Sequence, residues 1–119
     1  MRGQPIKIFG QQGTIRDYIY VSDLVAGIVS VLEHGQLSET YNLGSGVGRS
    51  NLEVIHSMTP LIHQAGCKVR VEHLPERVFD VRANVLDSSK LQEHTGWKPE
   101  VEFLDGLIRT YEWLRNYVG

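Results

Sequence analysis

The stretch Thr14–Val21 constrains this chain most, because it alternates as a strand does and then runs directly into a segment with helical spacing. Side chains alternate across a strand, so Ile15, Ile19 and Val21 share one face while Arg16, Tyr18 and Tyr20 share the other. One face packs; the other carries polar chemistry. Asp17 falls on the apolar side, where an unpaired carboxylate is costly, so it is expected to accept hydrogen bonds from nearby backbone or from an arginine. Ser22 reads as an N-cap with Asp23 in the first turn, and Leu24, Ile28, Val31 and Leu32 recur at helical spacing until Gly35 offers a left-handed stop.

The remaining segments continue this mixed pattern. Ile6, Ile8 and Phe9 form a short β-like run closed by Gly10 and Gly13, and Thr40 to Leu43 reads as a brief strand. Gly44-Ser-Gly-Val-Gly48 then turns the chain into a second helix, at whose start Ser50 and Glu53 have the spacing of a capping box. Leu52, Ile55 and Ile62 continue that helix, which Pro60 is expected to bend or to end. Lys68 to His73 reads as a half-buried strand ended by Pro75, and a loop follows to Leu86. Asp87 is expected to cap a short helix through Leu91 to Thr95, with Gly96 as terminator and Pro99 preventing resumption. Leu104, Leu107, Ile108, Tyr111, Leu114 and Val118 line one side of a closing amphipathic helix. No repeat, low-complexity stretch or linker divides the chain, so residues 1–119 read as one α/β unit of short strands with three to four helices.

Composition narrows the partners. With 12 basic and 14 acidic residues and no long run of either sign, the chain lacks the electrostatic footprint of a nucleic-acid or anionic-membrane binder. Val25 to Leu32 is too short to cross a bilayer and the opening residues lack the apolar centre of a signal peptide, so a cytoplasmic location is expected. The single cysteine, Cys67, cannot form an internal disulfide and reads as small apolar filler. His56 and His63 share a helical face but stand about 10 Å apart along it, too far to bind one metal, so no metal site is expected.

Strand, glycine cluster and helix in that order imitate a phosphate cradle. The imitation fails in detail. The third glycine follows the second by two residues rather than three, no acidic residue stands about twenty positions on, and Arg49 occupies the place of a P-loop lysine. A tight strand-to-helix turn explains the glycines, and no cofactor-binding residue is expected. No nucleophile with an adjacent base and no Tyr-x-x-x-Lys spacing is present, so no catalytic residue is expected either. What remains is Arg16 with Tyr18 on one strand face, and Arg77 with Asp80 in the loop before Leu86. A guanidinium fork matches phosphate oxygens and a carboxylate accepts two sugar hydroxyls, which together suit a nucleoside diphosphate. The competing reading is structural: Arg77 pairs with Asp80 across a turn, and Arg16 is a solvated strand residue.

Four segments alter that balance: Gly13-Thr-Ile-Arg-Asp-Tyr-Ile-Tyr-Val-Ser-Asp-Leu24, Thr40-Tyr-Asn-Leu-Gly-Ser-Gly-Val-Gly48, Arg77-Val-Phe-Asp-Val81, and Asp87-Ser-Ser-Lys-Leu91 with Gly96-Trp-Lys-Pro99. In order and spacing they resemble the C-terminal, substrate-binding part of the extended short-chain dehydrogenase/reductases, specifically the NAD-dependent nucleotide-sugar epimerases and dehydratases, and above all UDP-glucose 4-epimerase. The resemblance implies that Arg16 and Arg77 grip a UDP-sugar diphosphate, that Asp80 holds the ribose, and that Tyr18 lies beside that pocket. Val78 and Phe79 depart from the family's usual Arg-Pro-Gly-Asp loop, and Arg82 is a nearby alternative phosphate contact. The resemblance also implies a Rossmann-type NAD-binding portion with the catalytic tyrosine and lysine, which these residues lack. The chain is therefore expected to be inactive alone and to bury its apolar helix face by forming a homo-oligomer. The alternatives are a stand-alone binding module and the same portion of a dehydratase, decarboxylase or reductase.

Overall fold

The computed structural model describes residues 3–118, without the side chain of Val118. The expectations for the opening two residues and for Val118 on the closing helix face lie outside the described residues.

Strand β1 (Ile6–Phe9) pairs in parallel with β4 (Val71–Leu74), so that Phe9 stands opposite Leu74. A second sheet is centred on β2 (Ile15–Asp17), flanked by antiparallel β3 (Gly48–Ser50) and parallel β5 (Ala83–Asn84). Around these lie α1 (Val21–His34), α2 (Asn51–Gln64), α3 (Ser89–Thr95) and α4 (Phe103–Val118). The mixed α/β reading holds, with several boundaries moved.

The strand expected over 14–21 is paired only from Ile15 to Asp17. Beyond it Tyr20 is extended and serves as the N-cap of α1 without a side-chain bond, its carbonyl accepting from the Asp23 and Leu24 amides; Ser22 lies inside the helix. Asp23 is in the first turn as expected, but its carboxylate faces away from the helix end. It accepts from the Glu100 and Val101 amides at 3.1 and 2.9 Å, while its carbonyl accepts from the Trp97 indole at 3.1 Å. Gly35 ends α1 with an extended backbone, not a left-handed one; its small size matters because a Cβ there would sit 2.5 Å from the Val31 carbonyl oxygen.

Thr40 to Leu43 pairs with no strand among the described residues. The Tyr41 hydroxyl contacts His94 Nδ1 at 2.8 Å and accepts from the Gln36 amide at 2.9 Å, and the Leu43 side chain packs so close to Gly27 that a Cβ on Gly27 would meet it at 2.4 Å. The glycine cluster turns at Gly46, as expected, but first forms β3, which the sequence pattern did not predict. The capping box is present: the Ser50 amide donates to Glu53 Oε2 at 2.7 Å and the Glu53 amide to Ser50 Oγ at 3.1 Å. Helix α2 continues through Pro60 to Gln64, so of the two expected outcomes, a bend or an end, the end does not occur. Tertiary packing outweighs the missing donor, since Ile62 is buried and the Leu61 carbonyl accepts from the Tyr111 hydroxyl at 3.3 Å.

Ser88, not Asp87, occupies the N-cap of α3. Asp87 instead accepts from the Ser89 amide at 2.9 Å just outside the helix, and the Ser88 hydroxyl bridges the Gly44 amide and carbonyl. Gly96 is left-handed, as expected of the terminator. Leu91 and Trp97 are buried between α3 and α1, while Tyr111 and Ile62 are buried at the α2–α4 contact.

The core is small for the mass. The chain exposes 8744 Å², against roughly 6,500 Å² for a self-contained fold of this size. Its radius of gyration, 17.0 Å, likewise exceeds the roughly 13.5 Å expected for this length. Part of the exposed apolar surface is on α1, where Val25, Ile28 and Leu32 are 52%, 50% and 81% exposed.

Candidate functional site

The loop after β4 reaches β2 because β5 pairs alongside it, Ile15 opposite Ala83 and Arg16 opposite Asn84. Arg16 fastens this arrangement. Its Nη1 donates to the Ile15 carbonyl at 2.7 Å and to the Val81 carbonyl at 2.8 Å, tying the strand to the residue that follows Asp80. Arg16 is thus not the solvated strand residue of the competing reading.

Asp80 is half-buried and lines a cavity of about 420 Å³ together with Phe9, Gly13, Thr14, Tyr18 and Asn51. The cavity lies between the two sheets, Phe9 closing it from β1 and Tyr18 from just beyond β2. The Tyr18 hydroxyl accepts from Asn51 Nδ2 at 3.1 Å, and Asn51 Oδ1 in turn accepts from the Thr14 amide at 2.8 Å. Gly13 permits this: it has φ +74°, and a Cβ would come within 2.4 Å of Asn51 Oδ1. The Tyr18 ring meets Phe103 edge-on at 6.1 Å, so its orientation is fixed at both ends.

Arg77 is exposed, and its guanidinium lies over the Phe9 ring, 3.5 Å from the centroid. It does not pair with Asp80; those two residues share only a backbone turn, the Asp80 amide donating to the Arg77 carbonyl at 3.3 Å. Among the described residues the Lys and Arg ion pairs are Arg82 with Glu76, Lys90 with Glu39 and Arg109 with Asp105. Arg82, the alternative phosphate contact, is thereby engaged at the surface. Tyr18 and Asp80 share one cavity, Arg77 is not in its lining but lies over the ring of Phe9, which is, and Arg16 grips the backbone beside Asp80. Phe9 and Asn51 were missed from sequence: Phe9 was read only as part of a short β-like run, and Asn51, next to the capping Ser50, carried no signal of its own.

Asp17 anchors the other side of β2. Its Oδ1 accepts from the Ser45 amide at 2.8 Å, and its Oδ2 from the Gly46 and Leu86 amides at 2.9 and 3.2 Å, with the Ser45 hydroxyl as a further donor. Partial burial pushes the Asp17 pKa up; the Ser45 hydroxyl and the three amides outweigh that and hold it below its ordinary 3.8. The glycine-rich turn therefore already holds an anion, the chain's own. These amides do not fit a cofactor phosphate, and no group of His, Cys, Asp and Glu among the described residues is arranged to hold a metal ion. Among the same residues no helix is long and apolar enough to cross a membrane.

The comparisons agree with this architecture. Residues 1–110 match the family model described as GDP-mannose 4,6 dehydratase. A dTDP-glucose 4,6-dehydratase of Xanthomonas campestris pv. campestris is 30% identical over 120 residues, covering 95% of this chain and 34% of the relative. The UDP-glucose 4-epimerase of Thermotoga maritima, solved with UDP-glucose, superposes with a TM-score of 0.85 at 33% identity over 99% of this chain and 37% of its own. That of Bifidobacterium longum, in complex with NAD+ and UDP, gives 0.80 at 31% identity over 97% and 36%. The chain spans about a third of the length of the curated relatives it matches. It belongs to the GDP-mannose 4,6-dehydratase family and has the fold of the C-terminal part of the extended short-chain dehydrogenase/reductases.

Proposed function

We propose that this chain is the nucleotide-sugar-binding portion of an NAD-dependent 4-epimerase acting on a UDP-sugar. The observation that supports this most is the inter-sheet cavity with Tyr18, Asp80 and Phe9 in its lining, and the Arg77 guanidinium over the Phe9 ring. An aromatic and apolar lining suits a base, a half-buried carboxylate suits ribose hydroxyls, and guanidinium groups suit a diphosphate. In this reading Arg77 meets the diphosphate directly, Arg16 supports it from the strand side, and Asp80 orients the ribose. The dehydratase relative favours a second reading, the same nucleotide-binding portion in a 4,6-dehydratase. Calorimetric titration with UDP, dTDP and GDP tests the shared claim and chooses the base: UDP is expected to bind most tightly, and no binding of any of the three would overturn it.

The redox chemistry belongs to NAD and to a tyrosine and lysine carried by a Rossmann-type portion outside these residues, and the glycine-rich turn here is already occupied by Asp17. The 119-residue chain supplied with NAD is accordingly expected to leave UDP-glucose unconverted; appearance of UDP-galactose would refute this division of labour.

The apolar face of α1 is the natural seat of that Rossmann-type portion, and when only these 119 residues are present a second copy takes its place. The surplus of about 2,200 Å² over a self-contained fold is of the size that stable dimers bury. Light scattering is expected to give at least a dimer, and Ile28→Lys with Leu32→Lys to shift it toward monomer while helicity is kept. A dilute monomer that binds no hydrophobic dye would count against it.

A further inference from the structure

A second cavity, of about 380 Å³, is walled by the chain leaving β2, by β3, by the 99–102 segment and by the start of α4. It shares only Tyr18 and Val54 with the inter-sheet cavity, and neither Phe9 nor Asp80 lines it. Its size suits a small ligand. Tertiary contacts fix its walls. Asp23 accepts the Glu100 and Val101 amides at 3.1 and 2.9 Å, which pins the 99–102 segment, and Tyr20 lies so close to α4 that a Cβ on Gly106 would meet its side chain at 3.2 Å. Phe103, which opens α4, meets the Tyr18 ring edge-on.

Three charged residues line this cavity: Arg49, Glu100 and Glu102. Opposite charges in one concavity ordinarily pair directly, yet the Lys and Arg ion pairs among the described residues include none of the three. The Arg49 guanidinium lies over the Phe103 ring, 4.2 Å from its centroid. Stacking uses the face of the guanidinium and leaves the N–H fork in its plane available. The register of β3 adds to the positive charge there, because Arg49 stands directly opposite Arg16, and like charges facing each other across a strand pair are unfavourable. Other groups do not relieve this. Glu53, whose carboxyl feels Arg49, accepts from the Ser50 amide in the capping box, and nearby Arg109 is paired with Asp105.

We propose that this cavity binds a free aromatic α-amino acid, its carboxylate on the Arg49 fork, its ammonium at Glu100 and Glu102, and its ring among Tyr20, Phe103 and Leu107. A simple anion would satisfy Arg49 and leave two carboxylates facing it; a simple cation would leave the guanidinium unmatched. A zwitterion answers both, and the aromatic and apolar walls suit a ring beside it. The site stands independently of the nucleotide-binding reading above.

The test is calorimetry of the chain with phenylalanine, with hydrocinnamate, which lacks the ammonium, and with phenethylamine, which lacks the carboxylate. Phenylalanine is expected to bind, and each analogue to bind about ten- to hundredfold more weakly. Arg49→Met keeps an unbranched stem over Phe103 and removes the fork; it is expected to reduce phenylalanine to the level of phenethylamine while leaving the response to UDP unchanged. Glu100→Gln combined with Glu102→Gln, at two exposed positions that do not threaten folding, is expected to reduce phenylalanine to the level of hydrocinnamate. No binding of phenylalanine at millimolar concentration, an analogue that binds as tightly as phenylalanine, or full retention of phenylalanine by Arg49→Met would overturn the site. The UDP titration of the unaltered chain bears on the nucleotide reading alone, so either proposal can fail without the other.

Discussion

Replacing Asp17 with alanine is expected to lower the stability of the chain by about 2–4 kcal/mol, measured by urea denaturation at fixed protein concentration. The carboxylate receives the Ser45, Gly46 and Leu86 amides and the Ser45 hydroxyl, which come from the glycine-rich turn and from the residues after β5. Removing it strands several donors at once, and half-burial lets water reach only some of them. Asparagine rescues little, because its amide nitrogen points a donor at donors. The effect also depends on pH. The hydrogen-bonded carboxyl has a folded pKa below its ordinary 3.8, so its contribution is complete above that value and is lost as pH falls through the folded one. The unaltered chain should therefore lose stability between about pH 5 and about pH 2 more steeply than the alanine variant does. Parallel acid limbs for the two proteins would mean that Asp17 is not held as described.

Arg77→Ala is expected to weaken UDP binding by about 1.5–3 kcal/mol, roughly 10- to 150-fold, as when a charge-assisted contact to phosphate is lost. Arg16→Ala is expected to weaken it similarly, but by a different route. Arg77 is an exposed residue without a polar partner among those described, so its removal should change affinity and leave the urea midpoint alone. Arg16 joins Ile15 to Val81, so its removal should lower both. Unchanged affinity in both variants would return the pair to a purely structural role.

Sequence alone carried the architecture where a local interaction decides it. The Ser50–Glu53 box and the left-handed Gly96 each depend on residues a few positions apart, and both stand as expected. Asp17 was legible too, since a carboxylate on an apolar strand face needs donors, although which donors came only with the fold. Strand limits were not legible. Thr40 to Leu43 has the composition of a strand but finds no partner among the described residues, and Gly48 to Ser50 lacks that composition yet pairs because β2 offers it an edge. Pro60 left a bend and an end both open for a related reason: propensity is local, while the packing of Ile62 and Leu61 that carries the helix past it is not. For the site, the polar residues announced themselves and their supports did not. Phe9 and Asn51 touch Arg77 and Tyr18 across 68 and 33 positions of sequence respectively, a separation that no spacing rule spans.

The cavity's placement between two small, separately paired sheets has a mechanical consequence. Its opposite walls belong to β1 and to the chain leaving β2, with α2 contributing Val54 and Ile55, and a molecule lodged there would act as a splint between the two sheets. Occupancy and rigidity are then linked: whatever fills the gap bears on both walls at once and stabilises the arrangement in which they stand this far apart.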